Sequence, residues 1–307
     1  MELISSTTLK IGKKTDMTQQ LSRIFANIGR ISYLNVAPVY YGFDNGQSCA
    51  GIKFSAGPPA VLNKMLERGE LDISPVSSAA YARNQHKWLL LPDLSISCIG
   101  KVMSVLLVSR YPVSELSGKP VVLTEESATA AALTRLLLSS RGIKPKFETG
   151  RIRHTGDLDN KAAALVIGDA ALKENWNADF PHVHDLGKMW RNQTGLPFVF
   201  ALWAVRKSFA EKRPEIVWDV MERFYRSRQA GYENIKKILP ITAEKLGISH
   251  DICSQYYQHL YYDLDVSKTS GLETFFNGLY RQNLICEPVK PAFFASRSAR
   301  FVNCQAA

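Results

Sequence analysis

Short apolar runs alternate with amphipathic stretches along most of this chain, and this alternation restricts the fold more than any other feature. Residues 28–34, 52–56 and 73–76 are predicted strands, and residues 59–68 carry apolar side chains at helical spacing. A further short helix is expected after Ser78. Strands and helices that alternate in this way are typical of parallel sheets joined by crossover helices, so the sequence predicts an α/β fold.

A second set of the same elements follows a polar turn that contains Pro112. Residues 121–124 and 163–167 are predicted strands, and a helix is predicted at residues 128–140. The apolar run at residues 198–205 is the last strongly β-like segment, and the helical pattern after it indicates that the run leads the chain back to the first set. The expected architecture is therefore two lobes with a ligand cleft between them.

The chain is expected to divide into four segments. They are a flexible N-terminal extension at residues 1–27, the first part of lobe 1 at residues 28–110, lobe 2 at residues 111–200, and a return to lobe 1 with C-terminal helices at residues 201–307. The extension is predicted because its residues show neither helical nor strand periodicity over a useful length.

The chain has 307 residues and a formal net charge of +10, which suits an anionic ligand, a nucleic acid or a membrane surface. Lysine and arginine are scattered and form no run of five, so nucleic acid is not an expected partner. The longest apolar run has eight residues, whereas a membrane-spanning helix needs about 20. The spread of the charge therefore indicates no particular partner, and no membrane association is expected.

Cysteine usage and the N-terminal sequence bear on the compartment. The five cysteines are odd in number and widely separated, and no two form a C-x-x-C pair, which favours a reducing compartment. The first 20 residues lack the apolar stretch of about 7–15 residues that a secretory signal needs. We therefore expect a cytoplasmic protein.

Helix starts that follow strand ends supply the candidate ligand contacts, because their amides are unpaired and carry a partial positive charge. The residues that stand at three such starts are Gly57, Ser77, Ser78, Ser127 and Thr129. Serine and threonine also cap helices that bind nothing, and this reading is the stronger one for each start taken alone. Starts from two lobes that converge on one cleft would instead hold carboxylates from opposite sides.

The role of Asp169 is undecided, and the histidines and motifs of the sequence do not match common enzyme classes. Asp169 follows the predicted strand at residues 163–167, where it could orient a ligand hydroxyl or cap the next helix. His182 and His184 share one face of a β-like stretch, but no third metal ligand has recognisable spacing, so a surface or packing role is favoured. The sequence contains no G-x-S-x-G, H-E-x-x-H, P-loop or G-x-G-x-x-G motif, and no metal or other cofactor is expected.

Six blocks of sequence, in one order along the chain, carry a more specific signal. They are ISYLNVAPVYYG at 31–42, FSAGPPAVLNKMLERGELDISPVSSAAYARN at 54–84, GKVMSVLLVSR at 100–110, LTEESATAAALTRLLL at 123–138, LVIGDAAL at 165–172 and DLGKMWRNQTGLPFVFALWAVR at 185–206. These blocks resemble the chorismate dehydratases, the first enzymes of the futalosine route to menaquinone. The sister family that forms 1,4-dihydroxy-6-naphthoate typically has a Cys-Pro-Asn-Asp type segment where this chain has residues 32–35, and residues 1–27 match nothing in the family.

The resemblance implies a fold similar to type II periplasmic binding proteins and the conversion of chorismate to 3-[(1-carboxyvinyl)oxy]benzoate and water without a cofactor. The matching motifs contain no histidine or paired carboxylates suited to be a general base, so the substrate's own enolpyruvyl carboxylate could take the proton if the protein fixes its conformation. With the helix starts above, the expected catalytic contacts are Asn35, Ser77 and Ser78, and the expected substrate-binding residues are Gly57, Ser127, Thr129 and Asp169.

Alternatives to this reading concern both one residue and the whole chain. Asn35 could merely close the turn after the first strand, before Pro38. A solute-binding protein of the same fold would be expected to carry a secretion signal or a lipid-anchor cysteine near its N-terminus. A ligand-sensing domain of a transcription regulator would need more than 27 residues before the first strand to hold a helix-turn-helix. The sequence shows neither feature, so a dehydratase is the favoured function.

Overall fold

The computed structural model describes residues 25–158 and 160–294, which form two five-stranded sheets with helices packed against them. The strands are β1 (Ala26–Ile31), β2 (Ile52–Gly57), β3 (Ile73–Ser77), β4 (Trp88–Cys98), β5 (Val105–Ser109), β6 (Pro120–Thr124), β7 (Lys146–Gly150), β8 (Ala163–Ile167), β9 (His182–Asp185) and β10 (Phe198–Arg206). The helices are α1 (Ala37–Asp44), α2 (Pro59–Arg68), α3 (Ser78–Arg83), α4 (Ala128–Ser139), α5 (Gly168–Lys173), α6 (Trp176–Asp179), α7 (Leu186–Thr194), α8 (Lys207–Lys212), α9 (Pro214–Glu233), α10 (Ile235–Leu246), α11 (His250–Gln258) and α12 (Val266–Arg281). None of the helices in these described ranges is both long enough and apolar enough to cross a membrane.

Both sheets are mixed rather than wholly parallel. The first has the order β2-β1-β3-β10-β4, with β1 parallel to β2 and β3 but β10 antiparallel to its neighbours. The second has the order β7-β6-β8-β5-β9, and there β5 is the antiparallel strand. The expectation of parallel sheets is thus correct for the crossover units and wrong for β5 and β10. Each of these two strands enters from the other lobe, at the sheet edge where the parallel strands end, and so runs in the opposite direction.

The chain passes between the sheets twice, within residues 99–104 and within residues 186–197. β5 pairs with β8 and β9, so hydrogen bonding assigns it to the second sheet, although the sequence grouped it with lobe 1. β10 lies between β3 and β4 in the first sheet. As a division of the chain into folding units, the four expected segments stay a prediction.

The N-terminal boundary of the fold differs from the expected one. β1 begins at Ala26, which is fully buried, and the backbone amide of Asn27 donates to the Asp72 carboxylate at 2.9 Å. The Phe25 ring lies 5.9 Å from the guanidinium carbon of Arg223. The flexible extension expected at residues 1–27 therefore cannot include residues 25–27, because these make long-range contacts that local periodicity does not report. The rest of that prediction falls on residues 1–24, which lie outside the described residues.

Buried contacts between the lobes fix the position of the cleft. The backbone amide of Ala79, at the start of α3 in lobe 1, donates to the hydroxyl of Thr129 in α4 of lobe 2 at 2.9 Å. Further along the same side, α12 meets α4 so closely that a side-chain carbon at Gly278 would lie 2.7 Å from Leu136. The largest apolar core cluster accordingly contains residues from both sheets. The two lobes are therefore held together beside the cleft by packing and not only by the two chain crossings.

Candidate active site

A cavity of about 540 Å³ lies between the lobes, at the carboxyl ends of the parallel strands. From lobe 1 it receives the turn that follows β1, one face of α2 and the end of β3. From lobe 2 it receives the segment between β6 and α4, the loop after β7 and the start of α5. Ligands of open α/β sheets bind at this edge, because strand ends and helix starts leave backbone groups without partners there.

Four of the predicted site residues line this cavity, namely Asn35, Ser77, Ser127 and Asp169. Ser77 and Ser127 also cap helices, since their hydroxyls accept bonds from the amides of Ala80 at 3.3 Å and Ala130 at 3.1 Å. The capping and ligand-facing readings of these serines are therefore compatible. The structure brings the four residues together from both lobes, and their individual roles stay predictions.

The other three predicted residues are not part of the cavity lining. The Ser78 hydroxyl donates to the carbonyl of Val199 at 2.7 Å, which ties α3 to β10. Thr129 is occupied by the contact between the lobes described above, and the carbonyl of Gly57 accepts from Ser32 at 3.2 Å. These groups join the elements that surround the cleft. A direct contact between any of them and a ligand gains no support from this geometry.

Asn35 lies in the 3-10 turn Leu34–Val36, which two distant tyrosines hold in place. The Tyr257 hydroxyl donates to the carbonyl of Leu34 at 2.5 Å, and the Tyr262 hydroxyl donates to the carbonyl of Asn35 at 2.6 Å. Both tyrosines belong to the C-terminal helical region, which the sequence placed over lobe 1 without assigning it to the site. Their contribution is to fix the backbone that carries Asn35.

Asn35 lines the cavity, and its side chain makes no hydrogen bond to its own turn. Its Oδ1 atom is inaccessible to solvent and has no hydrogen-bond partner among the described residues, and its amide makes no bond to the backbone of the turn. The alternative that Asn35 closes the turn is therefore unsupported. An unpaired buried oxygen is unfavourable in the free protein, so the turn alone does not account for this side chain.

Tyr256 and Ser104 stand next to Asn35 and were not singled out in the sequence. Burial raises the pKa of Tyr256 to about 12, and hydrogen bonding from Ser104 and Asn35 acts in the opposite direction. The phenol therefore stays protonated, and hence neutral, at physiological pH. Ser104 falls within one of the quoted sequence blocks, whereas Tyr256 lies beyond them, so only a tertiary contact reveals it.

The charged side chains of the lining all come from lobe 2. They are Glu125, Glu126, Arg153, Asp169, Lys173 and Glu174. Glu126 pairs with Arg151 at 3.0 Å, and Lys173 lies 3.9 Å from Asp169. The guanidinium of Arg153 makes no hydrogen bond or ion pair within the described part of the chain.

Charged residues of lobe 2 affect the pKa of Tyr33, which lines the cavity from lobe 1. Burial is the main cause that raises its pKa, and the negative charges of Glu126 and Asp169 across the cleft raise it further.

No histidine of the described ranges lines the cavity, and no group of three metal-ligating side chains occurs in them. His182 and His184 instead stack in β9 with ring centroids 6.3 Å apart, in agreement with a packing role. The expectation that no metal or cofactor takes part stays a prediction.

Comparison with known proteins now places the chain in a family. Residues 26–281 match a family described as Menaquinone biosynthesis. The chain belongs to this family. A chorismate dehydratase from Thermus thermophilus is 32% identical over 270 residues, which cover 82% of this chain and 94% of that protein. The resemblance seen in the sequence blocks is therefore confirmed for the menaquinone biosynthesis family.

Solved structures support the fold independently of sequence similarity. Protein AF1704 from Archaeoglobus fulgidus superposes with a TM-score of 0.66 at 18% identity, covering 85% of this chain and 98% of that one. The periplasmic aliphatic sulphonate binding protein SsuA from Escherichia coli gives a TM-score of 0.62 at 14% identity, covering 86% and 94%. The predicted two-lobed, periplasmic-binding-protein-like fold is thus confirmed for this member of the menaquinone biosynthesis family.

Proposed function

We propose that this chain is a hydro-lyase that converts chorismate to 3-[(1-carboxyvinyl)oxy]benzoate and water, as the first step of the futalosine route to menaquinone in the cytoplasm. One observation carries the proposal: in a chain of the menaquinone biosynthesis family, a cavity between two lobes is lined by four polar residues of the quoted sequence blocks, namely Asn35, Ser77, Ser127 and Asp169. The similar protein from Thermus thermophilus that is named a chorismate dehydratase adds support.

The chemistry of chorismate determines what such a cavity must do. The molecule carries a ring carboxylate at C1, an enolpyruvyl ether with a second carboxylate at C3, and a hydroxyl at C4. The C3 hydrogen is acidic because the charge left by its removal spreads through the diene into the ring carboxylate. Loss of the C4 hydroxyl then makes the ring aromatic. The protein therefore needs to orient the substrate and stabilise the developing charge.

The two lobes would divide these tasks. Lobe 2 offers the guanidinium of Arg153, the Ser127 hydroxyl and the unpaired first amides of α4, which suit a carboxylate. Lobe 1 offers neutral groups, namely the Asn35 amide, the Tyr256 phenol and the Ser77 hydroxyl, which suit the reacting end of the ring. This division keeps full charges of the protein away from the position where charge changes during the reaction.

The proton need not pass through a protein side chain. In the proposed reaction the enolpyruvyl carboxylate takes the C3 hydrogen, the C3–H electron pair forms the C3–C4 double bond, and the C4–O bond breaks. The proton then reaches the departing hydroxyl, which leaves as water. Asp169 and Glu126 are carboxylates in the same cavity, but each has a cation close by. They are the competing candidates for the base.

Incubation of the purified protein with chorismate tests the proposal. Mass spectrometry should show a product lighter by one water, formed by protein that has been dialysed against chelator and receives no nucleotide or flavin. If stoichiometric protein binds chorismate and returns it unchanged, the chain is a binding protein of the same fold and not a lyase. A requirement for an added metal or organic cofactor would contradict the cofactor-free mechanism.

A further inference from the structure

Asn63 shares with Asn35 an arrangement that no other described residue shows. It lies on α2 and lines the cavity, and its Oδ1 atom is inaccessible to solvent and has no hydrogen-bond partner among the described residues. The remaining buried side-chain atoms without partners are Nε2 of His184 and Nε1 of Trp203, and neither of those residues lines the cavity. Within the described residues, the two unpaired buried side-chain oxygens therefore both belong to residues on the lobe 1 side of the cleft.

The helix itself does not explain an asparagine at this position. α2 packs through Leu62 and Leu66, which are fully buried, and Asn63 contributes no bond to its cap or to its end. Asparagine is a poor helix former because its amide competes for backbone groups, and an unpaired buried oxygen lowers stability further. Both effects disfavour Asn63 in the free protein. A ligand that supplies the missing donor removes the second of these effects.

The position of α2 places Asn63 near the reacting end of the substrate. β1 and β2 are adjacent and parallel, and Ile31 is the register partner of Gly57 at their ends. The turn that carries Asn35 follows the first of these strands, and α2 follows the second. Asn35 and Asn63 therefore stand at neighbouring strand ends and line one cavity, within its neutral wall.

Hydrogen-bond chemistry then selects the contact. With both carboxylates ionised, chorismate has several acceptors but a single donor, the C4 hydroxyl. An amide oxygen accepts hydrogen bonds and cannot donate them. We propose that the Asn63 amide turns toward the bound substrate, so that its Oδ1 accepts a hydrogen bond from the C4 hydroxyl and makes Asn63 a specificity-determining residue. This inference rests on the proposed function and extends it.

The contact would distinguish substrate from product. The hydroxyl is the group that the reaction removes, so 3-[(1-carboxyvinyl)oxy]benzoate keeps both carboxylates and has no donor for Asn63. Asn63 therefore contributes to the binding of chorismate and not to the binding of the product. A residue that contacted a carboxylate, or that only shaped the cavity, would affect both molecules alike.

Two dissociation constants measured on one variant test the inference. Asn63→Ala should weaken chorismate binding about tenfold, measured by tryptophan fluorescence after rapid mixing and before turnover, and should change the dissociation constant of the product less than about twofold. Its Tm should equal or exceed that of the parent, because alanine favours the helix and no bond is lost. Lys64→Ala, an exposed neighbour on α2, is the matched control and should change neither constant.

A second variant identifies the chemical group that Asn63 contacts. Asn63→Asp keeps an acceptor, so the ratio of the two dissociation constants should stay close to that of the parent, even if added negative charge weakens both ligands. If Asn63 contacts a carboxylate, the alanine variant should bind both ligands more weakly, and the aspartate variant should bind them more weakly still. That result would overturn the inference. An unchanged ratio of the two dissociation constants in Asn63→Ala would also overturn it. A parent protein that binds neither molecule would reject the proposed function itself, and the two failures are thus distinguishable.

Discussion

The two walls of the cavity differ in kind. The wall from lobe 1 and the C-terminal helices consists of apolar, amide, hydroxyl and phenol groups, and none of its lining residues carries a charge at neutral pH. The wall from lobe 2 carries all six charged lining side chains. The protein as a whole has a formal net charge of +10, yet the lining contains four carboxylates and two cations. Net charge therefore says little about the local environment of a dianionic substrate.

The difference separates recognition from reaction. On the charged wall, Glu126 and Asp169 have cations nearby. The Arg153 guanidinium forms no ion pair within the described residues, so it is the group that remains for a substrate carboxylate. On the neutral wall, the buried oxygens of Asn35 and Asn63 have no partner among the described residues. Variants of the neutral wall should consequently change kcat or substrate selectivity, whereas variants of the charged wall should change KM.

Asn35→Ala tests the neutral wall most directly. We expect kcat to fall by about a hundredfold or more, because loss of one preorganised polar contact typically costs a factor of about 10² to 10³. Chorismate binding should weaken much less. Tm should stay close to that of the parent, since the Asn35 side chain makes no bond within its turn. Single-turnover rates, dissociation constants and thermal unfolding should be measured on one preparation.

Asn45→Ala is the matched control for that experiment, because Asn45 is exposed at the end of α1 and its amide bonds only to the Tyr41 carbonyl. It should leave the rate unchanged. An Asn35→Ala protein that melts at a lower temperature but turns over within about threefold of the parent would make Asn35 a turn residue. The neutral wall would then lose its catalytic assignment.

Tyr262→Phe probes how the neutral wall is positioned. The variant removes the bond to the Asn35 carbonyl and leaves the ring in place, so the turn should loosen and kcat should fall about tenfold, with little change in KM. Tyr225→Phe removes a similar bond, 2.7 Å to the Pro92 carbonyl, elsewhere in lobe 1. A comparable loss of Tm in both variants, with a fall of kcat only in Tyr262→Phe, identifies positioning. Equal falls of kcat would instead indicate a general loss of stability.

The sequence predicted the parts of this structure that depend on local pattern. The helix predicted at residues 59–68 coincides with α2, because helical periodicity, Pro59 at its start and the left-handed Gly69 at its end define it locally. The strand predicted at residues 163–167 coincides with β8, because its residues form one short apolar run. β4 was not predicted. It contains Pro92 and then Asp93 with φ of 53°, a turn-like pair that tertiary pairing with β10 accommodates inside one strand.

The same limit applies to the site. The capping serines Ser77 and Ser127 were found because a cap is a local signal, and they do line the cavity. The bond from Tyr262 to Asn35 joins residues 227 positions apart, and no spacing in the sequence indicates it. Asn63 was visible in a quoted block, but only its missing partner in the folded protein separates it from an ordinary helix residue.

Arg153→Gln addresses recognition on the charged wall. Arg153 is exposed, so its bond to a carboxylate is partly screened, and we expect KM to rise about fivefold while kcat stays within about twofold. The KM of the parent should increase with salt between about 50 and 500 mM, and this dependence should weaken in the variant. Lys146→Gln is the control, because that residue is exposed in the same lobe and does not line the cavity. A fall of kcat in Arg153→Gln without a rise of KM would contradict the division between the walls.

Asp169→Asn should have the smallest effect and decides which group is the base. If the substrate carboxylate takes the C3 proton, kcat should stay within about threefold of the parent, whereas the loss of a protein general base costs about 10²- to 10⁴-fold. KM should fall about twofold, because one negative charge is removed and Lys173, 3.9 Å away, becomes free to attract the dianion. Steady-state kinetics over a range of chorismate concentrations measures both values, and Glu126→Gln provides the same comparison for the other candidate base. A hundredfold loss of kcat in either variant, with product binding intact, would place the base on the charged wall and end the separation of recognition from reaction.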